Sequence, residues 1–203
     1  MKRVLLLFLL ALTACGVVAA ETKESREKLD KARRELHQRM PNVARAEKLI
    51  QESLKASPDY LDAQQALADL YYLQNRFDSA AAEYLNARAL DDTQKKLSRS
   101  DRNLLLDQLG LSQAQGRHYD EAISTYQAAL AEDSGYALFE YNLSCTYAMK
   151  GDLDSALPHL NKSWELRDSL PNGVQFPDPR KDDSFKRYWN DPRFKEAVLN
   201  IVV

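Results

Sequence analysis

Four alanines, Ala46, Ala80, Ala122 and Ala156, stand 34, 42 and 34 residues apart, and each sits in the same pattern of side chains. A large residue follows four positions on (Ile50, Tyr84, Tyr126, Leu160) and a small one seven on (Ser53, Ala87, Ala129, Ser163). Three positions earlier come Val43, Phe77, Tyr119 and Leu153. Further upstream Leu67, Leu109 and Leu143 align, each followed by a small residue: Ala68, Gly110 and Ser144. Spacings of three, four and seven put such columns on one helical face. A small residue lets two antiparallel helices approach closely, and a large one fills the gap to the next pair. One such pair cannot bury its apolar face alone, so the copies must stack. The 42-residue step is one 34-residue unit plus eight residues, which fall in the polar stretch 91–102.

A 34-residue period with these columns resembles the tetratricopeptide repeat family. The residues that carry the resemblance are Leu67, Ala68, Tyr71, Phe77, Ala80, Tyr84 and Ala87; Leu109, Gly110, Tyr119, Ala122, Tyr126 and Ala129; and Leu143, Ser144, Tyr147, Gly151, Ala156 and Leu160. The resemblance covers residues 25–168. It implies an all-α fold: a right-handed α-solenoid of about four helix hairpins, in units of about 25–58, 59–92, 103–134 and 136–168, with C-terminal capping helices. The chain departs from the pattern at Gln113, where Tyr is usual, and at Gly116, which comes one residue early. It departs again at Arg33 and Arg34, where Leu and a small residue belong.

The N-terminus reads as an export signal. Lys2 and Arg3 precede the apolar run Val4–Leu12, which is too short to span a bilayer. Leu12-Thr13-Ala14-Cys15-Gly16 resembles a bacterial lipoprotein cleavage box. That resemblance implies a leader of residues 1–14, lipidation of Cys15 and a tether over 15–24. Two or more acyl chains anchor a protein stably where one is marginal. With Gly16 after the cysteine, the resemblance implies the periplasmic face of the outer membrane in a Gram-negative cell. Cleavage after Ala20 is the alternative, giving a secreted periplasmic protein.

Along the remaining chain, Leu29, Ala32, Leu36 and Met40 form one stripe of an amphipathic helix over 24–40, and Pro41 suits the first turn of the next. Tyr60–Gln74 and Phe77–Leu90 read as the second pair. The insert carries Lys95, Lys96, Arg99 and Arg102, either as an anionic docking patch or, preferred, as a solvated loop or helix extension. Ser100 or Asp101 is expected to cap the helix that follows. Residues 169–182 read as a loop, and Asp191-Pro192 as the start of a last helix. Phe185, Tyr188, Trp189, Phe194, Val198 and Leu199 are expected to cover the open end of the stack. A separate peptide-gripping element around Trp189 is the sharper, less favoured reading.

Enzyme signatures are missing: no phosphate loop, no Gly-x-Ser-x-Gly and no His-Glu-x-x-His. His37, His118 and His159 are scattered, and Cys145 sits on an apolar stretch as a packing residue. No catalytic residue, metal site or cofactor is expected, and no small-molecule substrate. The formal charge of −2 is no footprint for nucleic acid. What remains is a binding surface. In the resembled family the first helices line a concave face. Carried over by register, that face comprises Gln65, Asp69, Tyr72, Asp107, Gln108, Tyr141, Asn142 and Met149. Such a groove suits a neutral or mildly basic peptide segment of an envelope protein. The expected function is a membrane-anchored adaptor or scaffold in the bacterial envelope. The alternatives are an accessory subunit of a cell-wall enzyme and a self-assembling module.

Overall fold

The computed structural model describes residues 21–170, 173–199 and 201, and these form an all-α solenoid of stacked hairpins. The pairs are α1 (Lys23–Leu36) with α2 (Val43–Ala56), α3 (Leu61–Leu73) with α4 (Phe77–Gln94), α5 (Arg99–Gln115) with α6 (Tyr119–Glu132), and α7 (Ala137–Lys150) with α8 (Leu153–Glu165). Each second helix also packs on the first helix of the next pair. A short 3-10 helix (Asp183–Tyr188) and α9 (Pro192–Val198) close the chain. The leader, Cys15 and most of the expected tether lie outside the described residues. Residues 22–24 belong instead to the cap and first turn of α1, where Thr22 and Ser25 bond reciprocally.

The columns meet as their spacing demands. Ala46, Ala80, Ala122 and Ala156 are fully buried, as are the small residues seven positions on. Ile50, Tyr84, Tyr126 and Leu160 are buried beside them. The closest approach is at Gly110, where a Cβ would lie 2.4 Å from the Tyr126 ring. Only a glycine leaves room for that ring.

The turns inside the later hairpins share one geometry. Asn75, Arg117 and Gly151 each take a left-handed backbone, at φ 57°, 67° and 101°. The next amide then bonds back five residues, as Arg76 to Tyr71, His118 to Gln113 and Asp152 to Tyr147. Gly116, which looked misplaced by one residue, has an ordinary φ of −72°. The strained position is Arg117.

Eight inserted residues leave the stack undisturbed because they are helical. Relative to the alanine column, α4 ends four residues later than α2 and α6, and α5 starts four residues earlier than α3 and α7. The turn between pairs stays at four residues, 57–60, 95–98 and 133–136. Ser98, rather than Ser100 or Asp101, caps α5, its side chain accepting from the Asp101 amide. Unit one departs furthest. Its connection runs over six residues, 37–42, with Asn42 as cap and Pro41 outside the helix. The buried positions of α1 are Ser25, Leu29 and Ala32, while Met40, past the helix end, is 83% exposed.

Gly110→Ala is expected to lower the unfolding free energy by about 1–3 kcal/mol in urea titration. The same change added to Tyr126→Leu should cost little, since the clashing ring is gone. Arg117→Gly relieves a left-handed side-chain position, and a gain of about 0.5 kcal/mol is expected in the same assay.

Candidate functional site: a hollow along the first helices

Side chains from α1, α3 and α5, with Tyr84 and Leu97, line a hollow of about 780 Å³. Of the surface expected from register, Gln65, Asp69 and Gln108 open into it. Its wall carries two solvent-facing leucines, Leu73 at 75% and Leu104 at 54% exposure. The Tyr84 hydroxyl donates to Asp69, and burial of this carboxyl raises its pKa.

The other expected residues are turned to different uses. Asp107 is buried between α5 and α7, where the Asn142 amide donates to it at 2.6 Å. Loss of hydration pushes its carboxyl up to about 7. Tyr72 is half-buried with its ring edge-on to Phe77 at 5.5 Å. Tyr141 is buried and donates to Asp182 at 2.8 Å. Met149 is half-exposed near the end of α7 and does not line the hollow. Asp107 and Tyr141 are therefore not available to a partner in this conformation, and Asn142 is committed to Asp107.

The chain's own C-terminal segment covers α7. Phe176 and Phe185 meet the Tyr141 ring at 5.5 and 6.4 Å, and Phe185 stacks on Phe194 at 5.2 Å. Phe185, Phe194 and Val198 form the expected cover, joined by Phe176 and Ile201. Tyr188 packs at its edge, whereas Trp189 and the 75%-exposed Leu199 face solvent. Cys145 lies beneath this cover, and burial beside Asp182 drives its thiol pKa well up, so it is a packing group and not a nucleophile.

The insert's arginines are used internally. Arg102 pairs with Asp91, Asp92 and Glu132, joining α4, α5 and α6, and Arg99 forks onto Asp133. The hydrogen-bonded Asp92 and Asp133 carboxyls are held below their usual range. These contacts correspond to the helix-extension reading of residues 91–102 and leave no docking patch built on the arginines. Among the described residues no group of His, Cys, Asp or Glu is placed to hold a metal, and no helix is long and apolar enough to cross a membrane. His37 bonds its own helix, His118 lies 3.0 Å from Asp78, and His159 lies 2.6 Å from Glu140 while stacking on Tyr147.

The tetratricopeptide repeat profile matches residues 29–94 and 108–169, most of the stacked array. The chain belongs to the tetratricopeptide repeat family. The fold is thus a protein–protein interaction scaffold. No curated protein matches the chain in sequence. Among solved structures, MamA 41-end from Desulfovibrio magneticus RS-1 aligns over 88% of this chain and 96% of its own, at 14% identity and a TM-score of 0.61. A MamA crystal structure aligns over 87% and 90%, at 20% identity and 0.59, and MamA MSR-1 over 73% and 80%, at 19% and 0.60. At such identities the likeness is one of tetratricopeptide fold.

Asp107 makes stability depend on pH with a definite sign. Its carboxyl rises from an ordinary 3.8 to about 7, so in that window the folded chain holds a proton that the unfolded chain releases. The stabilisation is complete below about pH 4 and lost as pH rises to about 7. Denaturant titrations across this range should show Asp107→Asn gaining up to ~4 kcal/mol on the wild type toward alkaline pH. Parallel profiles would place Asp107 in water.

Proposed function

We propose that this protein is a lipid-anchored adaptor of the bacterial cell envelope. Acyl chains on Cys15 hold it at the membrane, on the periplasmic face of the outer membrane in a Gram-negative cell. The hollow along α1, α3 and α5 holds a segment of another envelope protein. The observation that carries the binding half is the pair Leu73 and Leu104, apolar side chains kept in solvent on the wall of a roomy hollow. Apolar surface left uncovered in this way fits an interaction site. The anchoring half rests on the basic start, the short apolar run and the Leu-Thr-Ala-Cys-Gly box.

Both halves can be tested in cells. Cys15→Ser should leave the membrane fraction and lose labelled fatty acid. A photo-reactive residue at Leu104 should crosslink an envelope protein, whereas one at the exposed Leu85 on α4 should not. Membrane-bound Cys15→Ser would remove the anchor. Capture at Leu85 and not at Leu104 would remove the assigned surface.

A further inference from the structure

We propose that the occupant of the hollow is a lysine- or arginine-bearing amphipathic helix of another protein, with apolar residues on Leu73 and Leu104 and cations on Asp62, Asp69 and Asp101. This rests on the binding half of the reading above and names the chemistry of the partner.

The charge around the hollow is lopsided. Asp62, Asp69 and Asp101 all line it, and among the described residues no lysine or arginine nitrogen lies within 4.0 Å of any of their carboxyl oxygens. Arg33 is the one guanidinium on the lining; it lies 3.9 Å from Asp30 and its charge also reaches Asp69, so three carboxylates share one guanidinium. Three nearby arginines are spent elsewhere: Arg76 on Glu47, Arg99 on Asp133, Arg102 on Asp91, Asp92 and Glu132. Asp69 is desolvated enough for its pKa to rise, so an arriving ammonium or guanidinium would meet a carboxylate poorly served by water.

The apolar part excludes simple cations. Leu73 and Leu104 are exposed, with Leu36 and Leu97 half-buried beside them. A metal ion or polyamine leaves those side chains in water, and a nucleic acid brings phosphates against the carboxylates. A helix of about thirteen residues is ~20 Å long. Such a helix can set leucine-like residues along one stripe and cations on its flanks.

The test uses the full Cys15→Ser chain, free of acyl groups, and three labelled fourteen-residue peptides with one leucine stripe and flanks of lysine, glutamine or glutamate. Fluorescence anisotropy should show the lysine peptide binding at least ~10-fold tighter than the glutamate one, with the margin shrinking in high salt. Asp62→Asn/Asp69→Asn should cut the margin to below ~3-fold, and Leu104→Ser should weaken all three peptides. Thermal melts by circular dichroism establish that both variants are folded. Equal or tighter binding of the glutamate peptide overturns the proposal. So does lysine-peptide binding that the aspartate changes leave intact, binding of no peptide, or a dimer that Leu104→Ser dissociates. If the Leu104 crosslink forms in cells while the lysine peptide fails, the binding surface stands and the cationic partner falls.

Discussion

Close approach of two helices, set by a missing side chain on one and a bulky one on its neighbour, is the constraint from which the rest follows. Tyr126 over Gly110 is its sharpest instance, with no room for a single carbon. The same logic runs through the alanine column, whose members are all fully buried. Dense packing makes this contact intolerant of volume change, so its spacing sets the period of the chain. It also orients the first helices. One side of each is committed to its partner, and the opposite side of α1, α3 and α5 is left facing the hollow. Leu70, Leu105 and Tyr84 on its lining still belong to the core, whereas Leu73 and Leu104 are left in solvent.

Helical geometry explains how the array absorbs a broken period. Four residues are a little more than one turn, so adding four to α4 and four to α5 lengthens an antiparallel pair while returning each face to nearly the same direction. The new turns need their own support, since they extend beyond the apolar columns. Arg102 provides it, with the nearly buried Asp91 also accepting from the Leu97 amide. A charge pair so placed is costly to break from one side, because the remaining carboxylate is left unpaired and out of water. The arginines of the insert are thus structural, and in the hollow three aspartates are left to a single guanidinium, Arg33.

Local spacing made the hairpins, the buried columns and the cap at Asp191-Pro192 legible, because each depends on residues a few positions apart. Features decided at longer range were not. Arg117 takes the left-handed turn because the five-residue bond of the hairpin falls there, whatever glycine stands beside it. Phe176 looked like part of a polar loop and is a core residue, since α7 and α8 offer it Tyr141 and Trp164. Trp189 and Leu199 fit the helical pattern of a cover and miss it because the cover is complete without them. Ser98 caps α5 in place of Ser100 or Asp101 because the helix grew backward by a turn.

The binding surface shows the same division. Gln65, Asp107 and Tyr141 hold one register position, fifteen residues before the alanine of their own unit, and meet three fates. Gln65 opens into the hollow, Asp107 is closed over by Asn142 from the next unit, and Tyr141 is roofed by Phe176 and Phe185. Gln108 and Asn142 share another position, and one faces the hollow while the other is spent on Asp107. A repeat register states which side chains lean toward the same face of a solenoid. What covers that face depends on a segment outside the repeat. Here the C-terminal segment takes the last unit, and the open hollow is confined to the first three.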